Sequence, residues 1–171
     1  MMAIFSRILL CYDGTREGRR ALLYGAELAR ERQAETHLLA VLDNAYWIRG
    51  FDALAAEAAS IEEQSAREIL AEGVKKLQAC GVAAVGHLAT GNAIDRISQV
   101  ATQLNVDLIV LGHRRCGLLE RWWAGQGHGL LLDKVPCSIL VAIDPVETEA
   151  MSNPTETTGT QTDATDSAAH R

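Results

Sequence analysis

The chain has few groups that carry chemistry on their own. Its four cysteines, Cys11, Cys80, Cys116 and Cys137, are far apart and form no CxxC pair. Its five histidines, His37, His87, His113, His128 and His170, are just as scattered along the sequence, so no metal-ligand spacing is visible. Reduced thiols in a cytoplasmic protein are the expectation, with Cys11 and Cys137 in or beside core strands. No apolar run approaches the roughly 18 residues a spanning helix needs, and no leader-like segment precedes the first apolar run, so no membrane partner is expected. Neither the dinucleotide fingerprint GxGxxG nor the P-loop GxxxxGK[ST] occurs. No Ser or Cys lies in a nucleophile elbow, no carboxylate pair is spaced for shared acid–base work, and there is no internal repeat. The formal net charge is −6, but the segment after Pro145 holds most of it, leaving about −2 for the body. A near-neutral body gives no reason to expect nucleic acid as a partner.

What is present is alternation. Ile8-Leu9-Leu10-Cys11-Tyr12 is an apolar run that stops at Asp13-Gly14-Thr15, a turn-forming cluster. From Arg16 to about Gln33, Gly18, Ala21, Leu22, Gly25, Leu28 and Ala29 recur at helical spacing. Thr36 to Leu42 reads as a second strand. The pattern breaks over Ala45 to Asp52, and a helix follows from about Ala53 to Cys80, with Ala66, Leu70, Val74 and Leu77 as its stripe and Gly81 as its stop. Val82 to Ala89, diluted by Gly86 and His87, is a weaker strand expected near a sheet edge. Asn92 is a suitable N-cap for a helix striped by Ile94, Ile97, Val100, Ala101 and Leu104 and ended by Asn105.

The stretch Val106 to Ile143 organises the rest. It has two continuous apolar runs, Val106 to Leu111 and Ser138 to Ile143, joined by a Gly, Arg and His loop and a short helix over Leu130 to Lys134. Such runs suggest parallel strands buried on both faces. Five strands alternating with four helices predict an α/β fold, an open, mostly parallel, Rossmann-like sheet with helices on both sides. One domain over residues 1–145 is expected. Residues 146–171, with six threonines between Thr155 and Thr165, have no apolar face to offset the entropy of ordering and read as a disordered tail.

Ligands of open α/β sheets bind beyond the carboxyl ends of the strands. Asp13 sits at such an end, where a carboxylate can accept hydrogen bonds from a base or a ribose; it can equally be a turn residue before the first helix. Gly112 ends the fourth run, with His113, Arg114 and Arg115 beside it, and Gly125, Gly127 and Gly129 lead into the short helix. That arrangement suits an anion, or a loop with a solvated basic rim. Of Trp122 and Trp123, neighbours that point in different directions, one is expected to pack inward. A phosphatase built on Asp13 would want a second acid where Thr15 stands.

The segments ILLCYDG, HLLAVLD and LIVLGHRR…AG…VPCSILVAI resemble the universal stress protein family, over about Arg7 to Ile143. The resemblance implies a five-stranded sheet with four helices, cytoplasmic location, a homodimer through the last strand and a role in stress tolerance. One branch of that family binds ATP, with Mg²⁺ arriving on the phosphates, and carries Gly-x2-Gly-x9-Gly-Ser/Thr after the fourth strand. Laid on this chain, its glycines fall on Gly112, Arg115 and Gly125, and its hydroxyl residue on Gln126. Asp13 matches the acid near adenine and ribose, and Val41 the residue whose backbone meets the base. The resemblance therefore implies a nucleotide-binding stress protein with at most slow hydrolysis. The alternatives are a member that works through dimerisation and protein partners without nucleotide, or a small hydrolase or phosphotransfer domain centred on Asp13.

Overall fold

A computed structural model describes residues 4–42, 53–113 and 131–143, and within them strands and helices alternate. In chain order they are β1 (Arg7–Cys11), α1 (Arg16–Arg32), β2 (Glu35–Leu42), α2 (Ala53–Ala79), β3 (Ala84–Thr90), α3 (Ala93–Gln103), β4 (Leu108–His113), α4 (Leu131–Lys134) and β5 (Ser138–Ile143). The five strands form one sheet in the order β3-β2-β1-β4-β5, and every pairing is parallel. The expected α/β architecture is what forms.

The continuous apolar runs are explained by a core on each face. Along β1, Ile8 and Leu10 enter one cluster with Ala21, Leu22, Ala26 and Ala29 of α1 and Leu77 of α2. Leu9, between them, enters the other with Ile94, Ile97 and Ala101 of α3 and Leu131 of α4. β4 divides in the same way, Leu108 and Val110 to the first face, Ile109 and Leu111 to the second. Successive side chains of a strand point to opposite faces, so a strand covered on both must be apolar throughout.

Helix ends fall where local chemistry sets them. Thr15 caps α1 by accepting a hydrogen bond from the Gly18 amide at 3.0 Å, and Asn92 caps α3 by accepting from the Asp95 amide at 3.2 Å. α1 closes on Gln33 in the left-handed region (φ 51°), whose amide reaches the Ala29 and Arg30 carbonyls. Gly81 and Asn105 take positive φ just after α2 and α3.

β3 is an edge strand, as its diluted pattern predicts, although it begins at Ala84 and runs to Thr90. Val82 instead packs into the core from the turn before it. The expectation for Ser138 to Ile143 needs correction. β5 is the opposite edge, and Leu140 and Ile143 are 40% and 51% exposed. An apolar run at a sheet edge looks the same in sequence as one at the centre. Residues 45–52 and the segment 146–171 lie outside the described residues. Among the described residues, no helix is long and apolar enough to cross a membrane.

At the amino ends of the strands, Asp107 ties β1 to β4. Its carboxylate accepts from the Ser6 amide (2.7 Å), the Ser6 hydroxyl (2.8 Å) and the Arg7 amide (3.1 Å). Partial burial opposes the charge, but these donors outweigh it and hold the carboxyl below its ordinary range. A depressed carboxylate stabilises the fold above the unfolded-state pKa of about 4, and that contribution is lost as pH falls through the folded value. Asp107→Asn should therefore cost about 1 kcal/mol at pH 7, in a partly solvated setting. It should also flatten the decline of the urea midpoint below about pH 4. Equal acid slopes for the two proteins would remove Asp107 from the account.

Candidate functional site

The sheet order reverses between β1 and β4. From β1 the chain steps outward through β2 to β3, then returns to the other side of β1 for β4 and outward again to β5. Connections leave in opposite directions on either side of that point, so a crevice opens beyond the carboxyl ends of β1 and β4. Asp13 follows β1 there, and Gly112 lies near the end of β4.

Asp13 is exposed and bonded within its own turn. Its Oδ1 accepts from the Thr15 amide at 3.0 Å and from the Thr15 hydroxyl at 2.6 Å. Thr15 passes its remaining capacity to the amide of Gly18 in the first turn of α1. The carboxylate is thus fixed through one oxygen, and among the described residues Oδ2 accepts no hydrogen bond. Asp13 is not the helix cap; it orients the cap through one oxygen. Gly18 makes this possible, because a Cβ there would stand 2.3 Å from Asp13 Oδ1. Thr15 and Gly18 carry the site's geometry, yet in the sequence Thr15 stands out only as a turn residue and a missing acid, and Gly18 only as a helix-face residue. The signal is a hydroxyl residue at the N-cap position, directly before the helical pattern that begins at Arg16.

Gly112 has its own reason for lacking a side chain. A Cβ at Gly112 would lie 2.4 Å from the Glu17 carbonyl oxygen and 2.8 Å from the Gly18 nitrogen. The first turn of α1 therefore rests directly on the backbone of β4. Val41, half-buried near the end of β2, packs at the margin of that second core, as do Cys11 and Ala89. Asp13, Val41 and Gly112 thus gather at one edge of the sheet. Arg115, Gly125 and Gln126 lie outside the described residues, as do Trp122 and Trp123.

Cys11 ends β1, and burial, helped by the negative charge of Asp13 and by Cys137, pushes its thiol up to about 12. It stays protonated at physiological pH and is a poor nucleophile. Among the described residues there is no group of three or more His, Cys, Asp or Glu able to hold a metal ion. What the arrangement offers is a positioned hydrogen-bond acceptor at the mouth of a crevice, which suits recognition of N–H and O–H groups.

Comparison with known proteins shows the family and the fold. A family model described as the universal stress protein family matches residues 5–143. Universal stress protein Sll1654 of Synechocystis is 30% identical over 143 residues, covering 81% of this chain and 85% of its own. A universal stress protein family structure from Burkholderia pseudomallei superposes with a TM-score of 0.65 at 23% identity, covering 82% of this chain and 98% of that one. An Arabidopsis thaliana member with AMP bound gives a TM-score of 0.61 at 16% identity, over 82% and 93% of the two chains. Other structures of this fold are complexes with cAMP and, from Archaeoglobus fulgidus, with dAMP.

Proposed function

We propose that this chain, which belongs to the universal stress protein family, is a stress-responsive module that binds an adenine nucleotide in the crevice between β1 and β4. The observation that carries this reading is Asp13, held through Oδ1 with Oδ2 left to accept from a base or ribose. The bound AMP, cAMP and dAMP of structures with this fold support the ligand class. The residues present fit the adenosine end: Asp13 as acceptor, and Val41 as an apolar margin with a backbone beside it. Gly112, Arg115, Gly125 and Gln126 would hold the phosphates of ATP, with Mg²⁺ accompanying them. Arg115 in place of a glycine can bind a phosphate through its guanidinium, and Gln126 can donate a hydrogen bond where a hydroxyl would. Any turnover is expected to be slow. A homodimer through β5 is supported by the exposed Leu140 and Ile143 on that edge strand.

Calorimetric titration of ATP, with assay of co-purified nucleotide, tests the proposal. Micromolar binding is expected. Asp13→Asn should weaken it roughly ten- to hundredfold, the value of one hydrogen bond to a charged group. Gly18→Ala should give a similar loss without touching ligand, because its methyl evicts the carboxylate from its seat. Absence of heat at millimolar ATP would overturn the reading in favour of a member that acts through dimerisation and protein partners. Fast ATP hydrolysis abolished by Asp13→Asn would point instead to a hydrolase.

A further inference from the structure

We propose that His37 and His87 form a proton-responsive seam that holds edge strand β3 to the sheet and releases it on acidification. The two residues, distant in sequence, meet on the face that carries α3. His37 lies on β2 opposite Leu9, and His87 lies on β3 opposite Leu39, so both share the face of those two core residues. His37 Nδ1 stands 3.2 Å from His87 Nε2, and the ring centroids are 5.2 Å apart. His37 is 5% exposed.

The charges around the pair determine which protons it carries. From β2, the Glu35 carboxylate lies 3.4 Å from His37 Nε2, and from β1 Arg7 pairs with the other oxygen of Glu35 at 3.2 Å. On α3, Asp95 and Arg96 are engaged elsewhere, with Lys134 and with Thr90 and Gln99. The inward face of α3 is the apolar Ile97 and Ala101. A single N–H lies between the rings, carried by His37 Nδ1 or by His87 Nε2 according to tautomer. One added proton can be taken up at a ring nitrogen outside the junction, which leaves a single N–H between the rings. A second cannot, since two N–H groups would then face each other at the same junction.

Burial first, and the neighbouring His37 second, hold His87 below the ordinary histidine range. A base depressed in the closed state takes up its proton on opening. Closure is therefore fully stable above about pH 6.5 and is weakened as pH falls below it. β3 is suited to respond. It is an edge strand, none of its residues is fully buried, and on the opposite face Leu70 and Val74 of α2 lie over Gly86. Its release would bare the outer edge of β2, a row of unpaired backbone groups.

Hydrogen exchange followed between pH 7.5 and 5, and corrected for intrinsic rates, tests this. Protection of β3 amides should fall by up to about tenfold per pH unit below about pH 6.5, one proton being linked to opening, while β1 and β4 stay level. His87→Gln, which keeps a donor to His37 without titrating, should abolish the slope. An equal slope in β3 and β1, or an unchanged slope in the variant, would overturn the proposal. Should the variant not fold, histidine ¹⁵N titration of the native protein decides. Uptake of a single proton by the pair above pH 5 supports the seam, and two independent ordinary titrations refute it.

Discussion

Gly112→Ala should lower stability by about 3 kcal/mol, the upper end of what one added methyl costs in a packed interior. Its methyl would meet the Glu17 carbonyl at 2.4 Å and the Gly18 nitrogen at 2.8 Å. Both are backbone atoms of a helix, so no side-chain rotation can relieve the contact; α1 must move off β4. That movement would carry Thr15 and the Asp13 carboxylate with it, and nucleotide affinity should fall together with the urea midpoint. Gly81→Ala is the control. There φ is +77° with open space around the missing Cβ, so only the left-handed strain of about 1 kcal/mol applies. Similar small losses in both variants would mean that α1 rests on β4 less tightly than this geometry requires. The comparison also bears on how Gly112 is read. A glycine at the end of the fourth strand invites a phosphate explanation, yet the structure already requires it for packing between α1 and β4.

The same distinction shows what the sequence revealed and what it hid. Period and punctuation were enough for the order of elements, because runs such as Ile8 to Tyr12 and stops such as Gly81 and Asn105 act locally. Lateral order was partly legible: Gly86 and His87 diluted β3 enough to mark it as an edge. β5 hid its position, since Ser138 to Ile143 is as apolar as the central β4 while half of it faces outward. Asp13 could be found from its place after β1, but its restraint by Thr15 and Gly18 depends on backbone geometry within a single turn. The His37–His87 junction was out of reach in a different way. It requires β2 and β3 to be parallel neighbours in one particular register, with His87 beside Leu39, and a shift by one residue would send the two rings to opposite faces. Scattered histidines in a sequence say nothing about that.

Leu77→Ala and Ile109→Ala should each cost about 2–5 kcal/mol, the range for truncating a fully buried aliphatic side chain. Both residues are wholly inaccessible, but they serve different cores. Leu77 of α2 packs on the face with α1, and Ile109 of β4 on the face with α3. Leu132→Ala, at a position 54% exposed, should stay within about 0.5 kcal/mol. The informative measurement is the double variant. Leu77 and Ile109 lie on opposite sides of the sheet and belong to separate clusters, so their losses should add to within about 0.5 kcal/mol if the protein unfolds as one unit. Additivity in urea titrations, with an unchanged m-value, would mean that a single sheet transmits cooperativity between two cores that do not touch. A double variant markedly more stable than the sum predicts would show that one core unfolds before the other. The strands shared by both, β1 and β4, would then be the place to look for the break, because each places alternate residues in the two clusters. That is also where the proposed nucleotide site lies, so a ligand bound there should raise the stability of both faces together.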